Sequence, residues 1–419
     1  MYELDMRYGT GPSPAVLAAA LSVGLMRRPE HLGIRALMIK VVTMPLIALS
    51  AAFVGLALLR APVLGAAIFC AGIGLSIWLR NFGPRASAVG RAISLPLLTI
   101  LAVPVRLDPN VSPIVSAALV LIAGAVALIL TSAALSIAER LGVTWEIPEA
   151  KIKRAQREGV MPIATRMALQ MLAALVLAFG VGMSLFPAHW PWVVLTAFIV
   201  CSGTLGRGDA IYKALLRFGG AVAGTLAASL VALAVFPNPQ TYAGTVFFIL
   251  FLGIWLRSIN YAYWAACATL IFALLQNVHG AGALPLFAER VFGIVAGALC
   301  AIAATWFVYP IRTEQLVRRR IADALAALRD TLTGNAAHPN HEARVASLRH
   351  HAAQLERVAP PVRLHRALFG AKADPEHPAT LIDRTRDLLT QAETPEFDRA
   401  HVGAQLRRLA TILRGDSKP

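Results

Sequence analysis

Lys213 and Arg217 stand four residues apart in an otherwise apolar stretch, so on a helix they share one face. Asp209 sits one turn earlier. A charged side chain at the centre of a bilayer costs roughly 2.5–3.5 kcal/mol, so each one retained in such a stretch is informative. Two cations on one face can attract an anion. The competing reading makes them anchors whose stems lie along apolar surface and whose charges reach the interface. The anchor is the simpler account of Lys213; Arg217 lies deeper. Glu289, beside Arg290, and Asp209 are the carboxylates near the apolar runs of the second half. Partial burial raises a carboxyl pKa toward neutrality, which makes both candidate proton carriers. For Glu289 a plain interfacial position is the alternative. Asn260, Tyr261, Tyr263 and Trp264 open another apolar run. Together they suit a ring-bearing carboxylate or amide, and equally an interfacial aromatic belt.

The elements that must position these groups are apolar runs near bilayer length. They fall at about 13–26, 33–59, 62–79, 91–105 and 112–137, then 162–185, 189–204, 211–236, 241–256, 260–277 and 286–309. A full crossing takes about 20 residues, so the shorter runs are tilted, half-length or supported by neighbours. Ile-Trp-Leu-Arg occurs at 77–80 and again at 254–257, an offset of 177 (254 minus 77). A repeat in so apolar a chain is the mark of a duplicated membrane transporter. At the same offset Lys40 matches Arg217. The first half has five runs and the second six, and an even-numbered ancestral unit gives parallel repeats. The expected fold is all-α and polytopic, with about 11 transmembrane helices in two parallel repeats (5 + 6). The expected boundaries are 1–140, a basic linker at 141–160, 161–311, and a helical tail at 312–419. Gly220-x-x-x-Gly224 and Gly293-x-x-x-Gly297 place small residues on one face, where backbones can approach.

The chain has 419 residues, 57% hydrophobic and 15% charged, with a mean hydropathy of +0.63. A soluble domain carries about 25% charged residues. The net charge of +16 is read as loop bases on the inner face of a membrane, not as a nucleic-acid surface. Under strict alternation Arg80, Arg207, Lys213, Arg257 and Arg312 fall on one side, taken as cytoplasmic. Cys70, Cys201, Cys267 and Cys300 all lie in apolar runs and read as small buried hydrophobes. In the tail, Leu316, Ile321, Leu325, Leu328 and Leu332 recur at helical spacing. Further helical stretches are expected at about 341–357, 378–392 and 396–414, interrupted by Pro360-Pro361 and Pro375. The result is a small cytoplasmic helical bundle. No Walker loop, GxSxG or HExxH occurs, so the chain is read as no enzyme, with no cofactor and no internal use of ATP.

Several stretches in order carry a resemblance. Arg166 begins a run. Trp190-Pro191-Trp192-Val193-Val194-Leu195-Thr196 resembles a W-x-x-L-T pattern, and Arg217-Phe218-Gly219-Gly220 through Gly224-Thr225 an R-x-x-G…G-T pattern. Asn260-Tyr261-Ala262 follows a basic loop, and Glu289-Arg290 with Gly293 and Gly297 resembles an E-R…G…G run closed by Tyr309-Pro310. Over 160–335 the chain resembles the fusaric acid resistance protein-like module of aromatic acid exporters. The resemblance implies an efflux component of the bacterial inner membrane, often working with a periplasmic adaptor and an outer-membrane channel. The expected function is proton-driven export of small aromatic or other organic acids, in contact with membrane lipid and open to homo-oligomerisation. The candidate substrate path is Lys40, Thr196, Lys213, Arg217, Asn260 and Tyr261; the candidate proton carriers are Asp209 and Glu289. Plant aluminium-activated malate channels have a related layout, so a passive organic-anion channel is one alternative. A membrane scaffold that binds a partner through its tail is another. A polar cavity between the halves argues for transport; a dry seam argues for the scaffold.

Overall fold

The computed structural model describes residues 50, 53–102, 140, 161–187, 189–235, 239–277, 283–310, 313–333, 341–369, 377–393 and 399–414. The runs at 13–26 and 112–137, most of 33–59, the linker at 141–160 and Lys40 lie outside them. The described chain is all-α: α1 Pro62–Trp78, α2 Pro84–Ala102, α3 Ile163–Leu185, α4 Trp190–Cys201, α5 Arg207–Val235, α6 Pro239–Leu256, α7 Tyr261–Asn277 and α8 Ala283–Phe307. The tail adds α9 Thr313–Thr333, α10 His341–Phe369, α11 Pro378–Glu393 and α12 Arg399–Arg414. Among the described residues two helices are long and apolar enough to cross a bilayer unaided, Pro62–Phe82 and Ile163–Leu185.

Among the described residues there are two large apolar cores, besides a small cluster of Ile249, Cys267 and Leu274 between α6 and α7. One joins α1 to α4 with the later part of α8, around Phe69, Ile73, Met171, Leu175 and Val193. The other lies in the tail, around Ile321, Leu328, Leu355, Ile382 and Leu388. Outside the first core the bundle exposes Phe247, Phe251, Trp255 and Phe307 at 68%, 67%, 63% and 84%. Water does not favour so much bare aromatic surface, whereas lipid tails do not penalise it. The chain is accordingly a membrane protein.

Glycine contacts set the helix pairings. Phe69 meets Phe179 edge-on at 5.5 Å between ring centroids, and the Asn81 amide donates to Thr165 Oγ1 at 2.9 Å, so α1 and α3 run antiparallel. Both small-residue motifs lie at helix crossings. A Cβ on Gly220 would come within 2.7 Å of the Ala262 carbonyl oxygen, and Gly224 lies against the backbone of Ala266, so α5 and α7 cross in parallel. Gly293 and Gly297 face Trp192, Val193 and Thr196, so α8 runs parallel to α4.

The 177-residue offset extends to helix boundaries. α1 and α6 begin 177 apart (239 minus 62), as do α2 and α7 (261 minus 84). Each pair is a hairpin with a glycine at a matching contact. In the first, Gly90 packs on the backbone of Ser76; in the second, Gly253 packs on Cys267, 2.8 Å from its Cβ to a hypothetical glycine Cβ. Ser76 corresponds to Gly253 and Gly90 to Cys267 at that offset, so the glycine has changed sides while the contact has kept its place.

One expectation is overturned. α10 continues through Pro360 and Pro361 instead of breaking there. Each proline lacks an N–H, so the carbonyls of residues 356 and 357 lose their helical partners. Tertiary contacts outweigh that cost. Val358, Ala359 and Val362 are buried in the tail core. Arg363 reaches back past both prolines to Glu356 at 3.2 Å and across to Asp383 of α11 at 2.9 Å.

Candidate functional site

Arg217 lies on the buried face of α5 with Ala214, Gly220, Ala221 and Gly224, at the spacing that helical geometry requires. Gly220 brings α7 against that face, so the guanidinium one turn earlier comes beside the start of α7. Arg217 is 2% exposed. Its Nε is buried without a hydrogen-bond partner, while the guanidinium lies within hydrogen-bonding reach of the Tyr261 hydroxyl. A buried donor left unpaired costs about 1–3 kcal/mol, more when charged.

Asn260 is the N-cap of α7, its side-chain oxygen accepting the Ala262 N–H at 2.9 Å. That accounts for its position without a ligand. Arg257, in the turn before α7, stands over the Trp264 ring at 5.8 Å from the centroid and within electrostatic reach of Tyr261. The sequence reading passed over Arg257 and Trp264 as contact partners. Seven residues across a turn carry no periodic signal, and only the folded turn closes the distance.

Lys213 and Asp209 perform a different task. α4 has 12 residues, about 18 Å at 1.5 Å per residue, and ends inside the bundle. Its terminal carbonyls need partners. The Ser202 N–H donates to Phe198 O and the Thr204 hydroxyl to Val200 O. Lys213 Nζ donates to Ser202 O at 3.2 Å. Gly203 turns the chain at φ +65°, a left-handed conformation that glycine adopts freely. Asp209 binds Lys213 Nζ at 3.0 Å and accepts the Leu205 N–H, also at 3.0 Å. Both charges are therefore engaged in closing the α4–α5 turn. Thr196 is fully buried between α4 and α8, with its hydroxyl unpartnered. Glu289 falls in the second turn of α8.

A cleft opens beside the α4 terminus, where α1 and α2 meet α3 and α4. Ser76, Arg80, Ser94, Met167, Phe198 and Ser202 are among its lining residues, and its cavity volume is about 20 Å³, room for about one water. The seam between the described halves is thus apolar and close-packed around Phe69 and Phe179, with one small notch beside Arg80. Arg80, read from sequence as an anchor, faces this opening. Arg207 shares that end of the bundle, stacked over Trp306 at 5.2 Å from the ring centroid and donating to Trp306 O at 2.8 Å. The structure thus groups Lys213 with Asp209, and Arg217 with Tyr261, while Thr196 belongs to the separate α4–α8 crossing.

Residues 170–304 match the family model described as fusaric acid resistance protein-like, about a third of the chain, which bears out the resemblance of that segment. A search of curated proteins finds no match.

Proposed function

From a chain whose residues 170–304 are fusaric acid resistance protein-like, we propose an efflux transporter of the inner membrane for small aromatic or other organic acids, driven by the proton gradient. Membrane transport or resistance is the role the family suggests; substrate, direction and coupling are the proposal. The observation that carries it is Arg217, a cation 2% exposed whose Nε–H has no hydrogen-bond partner. A carboxylate in transit supplies the missing acceptor. Roughly eleven spans in two parallel repeats form the transport unit; the hairpin correspondence of α1–α2 with α6–α7 supports the duplication. The end of the bundle bearing Arg80, Arg207 and Arg257, to which the tail attaches, faces the cytoplasm under the positive-inside rule. A periplasmic adaptor, an outer-membrane channel and a second copy of the chain are the partners that this role calls for.

In proteoliposomes, the full chain should move benzoate down an imposed proton gradient. Arg217→Gln should cut that flux at least about ten-fold, equivalent to about 1.4 kcal/mol. Wild-type flux in that variant would remove Arg217 from the path. Flux indifferent to collapse of the gradient would remove the coupling. A passive organic-anion channel is the second reading, favoured by Asp209, the candidate proton carrier nearest Arg217 in sequence, being held by Lys213. Single-channel currents that follow the benzoate gradient in a planar bilayer would select it.

A further inference from the structure

α8 ends at Phe307, and the chain leaves it through Val308, Tyr309 and Pro310. Tyr309 has φ +45°, the one non-glycine residue with positive φ among the described residues. The left-handed region disfavours a side chain by roughly five- to thirty-fold in population. Tyr309 is 52% exposed, so packing of its ring does not hold it there. One common helix ending with a left-handed residue uses the N–H of the next residue to satisfy a helix carbonyl, and Pro310 has none. Gln170 of α3 supplies what is missing. Its side-chain amide donates to Val308 O at 2.9 Å and to Tyr309 O at 3.2 Å. Gln170 is 7% exposed and lies in an otherwise apolar stretch. Arg207 of α5 donates to Trp306 O at 2.8 Å, one turn back.

Without the Gln170 bonds Tyr309 has one comfortable alternative. A following proline disfavours the right-handed helical region for the residue before it and pushes that residue to extended backbone. The joint therefore has two discrete positions, left-handed and extended, and the step between them redirects α9 relative to α8. We propose that Tyr309 is a two-position hinge between the bundle and the tail, and that Gln170 is the latch that holds it in the costlier position. The latch opens when the amide leaves the two carbonyls, and the tail then swings as a body around its own core. Arg207 stays with α8 in both positions, since its acceptor, Trp306 O, lies before the hinge. The bond from the Gly208 N–H to Thr313 Oγ1 lies beyond the hinge and belongs to the latched position. The hinge works whatever the bundle carries, so it does not rest on the transport reading.

The test is a pulsed electron-spin distance measurement on the full chain in nanodiscs. Labels go on Ile259→Cys in the bundle and Ala326→Cys in α9, both exposed positions. The four native cysteines are buried, so the introduced ones take the label. The otherwise unaltered chain should give one dominant distance, that of the latched position. Gln170→Leu should add a second distance, raising its population at least about five-fold. Tyr309→Val should do the same with the latch intact, because a β-branched residue is a true outlier at positive φ. Adding Tyr309→Gly to Gln170→Leu should remove most of that second population, since glycine takes positive φ freely. A general loosening of the bundle by loss of the amide would not be mended by a glycine in the joint. The proposal is overturned if either Gln170→Leu or Tyr309→Val keeps the single distance, or if Tyr309→Gly leaves the second population of Gln170→Leu unchanged. If Gln170→Leu does not fold, Tyr309→Val against Tyr309→Gly decides alone, and equal distance distributions would sink the hinge.

Discussion

Asp383 accepts three hydrogen bonds from two arginines: Arg363 Nε at 3.1 Å, Arg363 Nη2 at 2.9 Å and Arg366 Nη2 at 3.0 Å. Burial by itself would raise its pKa, but the bonds and charges of Arg363 and Arg366 outweigh that effect and hold the carboxyl below its ordinary value of 3.8. A depressed carboxylate stabilises the folded state at every pH above the unfolded value. The contribution is lost as pH falls through the lower, folded value. Thermal unfolding of the full chain in detergent should therefore show a midpoint that drops as the pH is lowered below about 4. Asp383→Asn should flatten that drop, and an unchanged slope would refute the assignment. None of this network was legible in the sequence, because its members lie on two helices and their charges look like an ordinary solvated face. Arg217 was legible for the opposite reason, since a cation in an apolar run stands out. Arg80 and Arg257 stood out equally, and their position at helix ends makes anchors the natural reading; the fold adds that Arg80 lines a small cleft and Arg257 stands over the Trp264 ring.

At the scale of helices, hydropathy and repeat spacing located α1, α3, α6 and α7 to within two residues and α4 to within three. Each is an apolar run ended by Gly, Pro or an arginine, and those signals are local. α2 begins seven residues before the expected run (91 minus 84), because Arg85 and Ser87 hid its first turns from a hydropathy reading. α10 escaped because its continuity through two prolines depends on neighbours. The hairpins invite a sharper test. A side chain at position 253 meets Cys267, and one at position 90 meets Ser76. Gly253→Ser alone should destabilise the α6–α7 hairpin by about 1–3 kcal/mol through overpacking. Adding Cys267→Gly reproduces the first hairpin's arrangement and should recover most of the loss. A double-mutant cycle on thermal stability in detergent measures the coupling. Additive effects would mean that the two positions do not share one contact, and the correspondence between the hairpins would then be coincidental.

At the scale of the molecule, the tail and the bundle meet at the first turn of α5. The Gly208 N–H donates to Thr313 Oγ1 at 3.0 Å. Pro361 of α10 approaches the same glycine, 3.8 Å from where its Cβ would lie. Leu205 packs into the tail core. Gln170 of α3 donates to the carbonyls of Val308 and Tyr309 where α8 leads toward α9, at 2.9 and 3.2 Å. The helix that carries Arg217 is therefore seated on the tail nine residues earlier (217 minus 208), about 14 Å along its axis. A rigid helix transmits displacement over that distance, so a shift of the tail would move the guanidinium relative to Tyr261. Gly208→Val puts branched carbon where Thr313 Oγ1 stands 3.1 Å from the first added atom, and should part the two units without touching either core. Hydrogen exchange should then rise together in the first turn of α5 and around residues 358–362 of α10, while the α1–α3–α4 core stays protected. Faster exchange in α5 alone would mean that the tail does not hold the helix, and that its position has no bearing on the arginine above it.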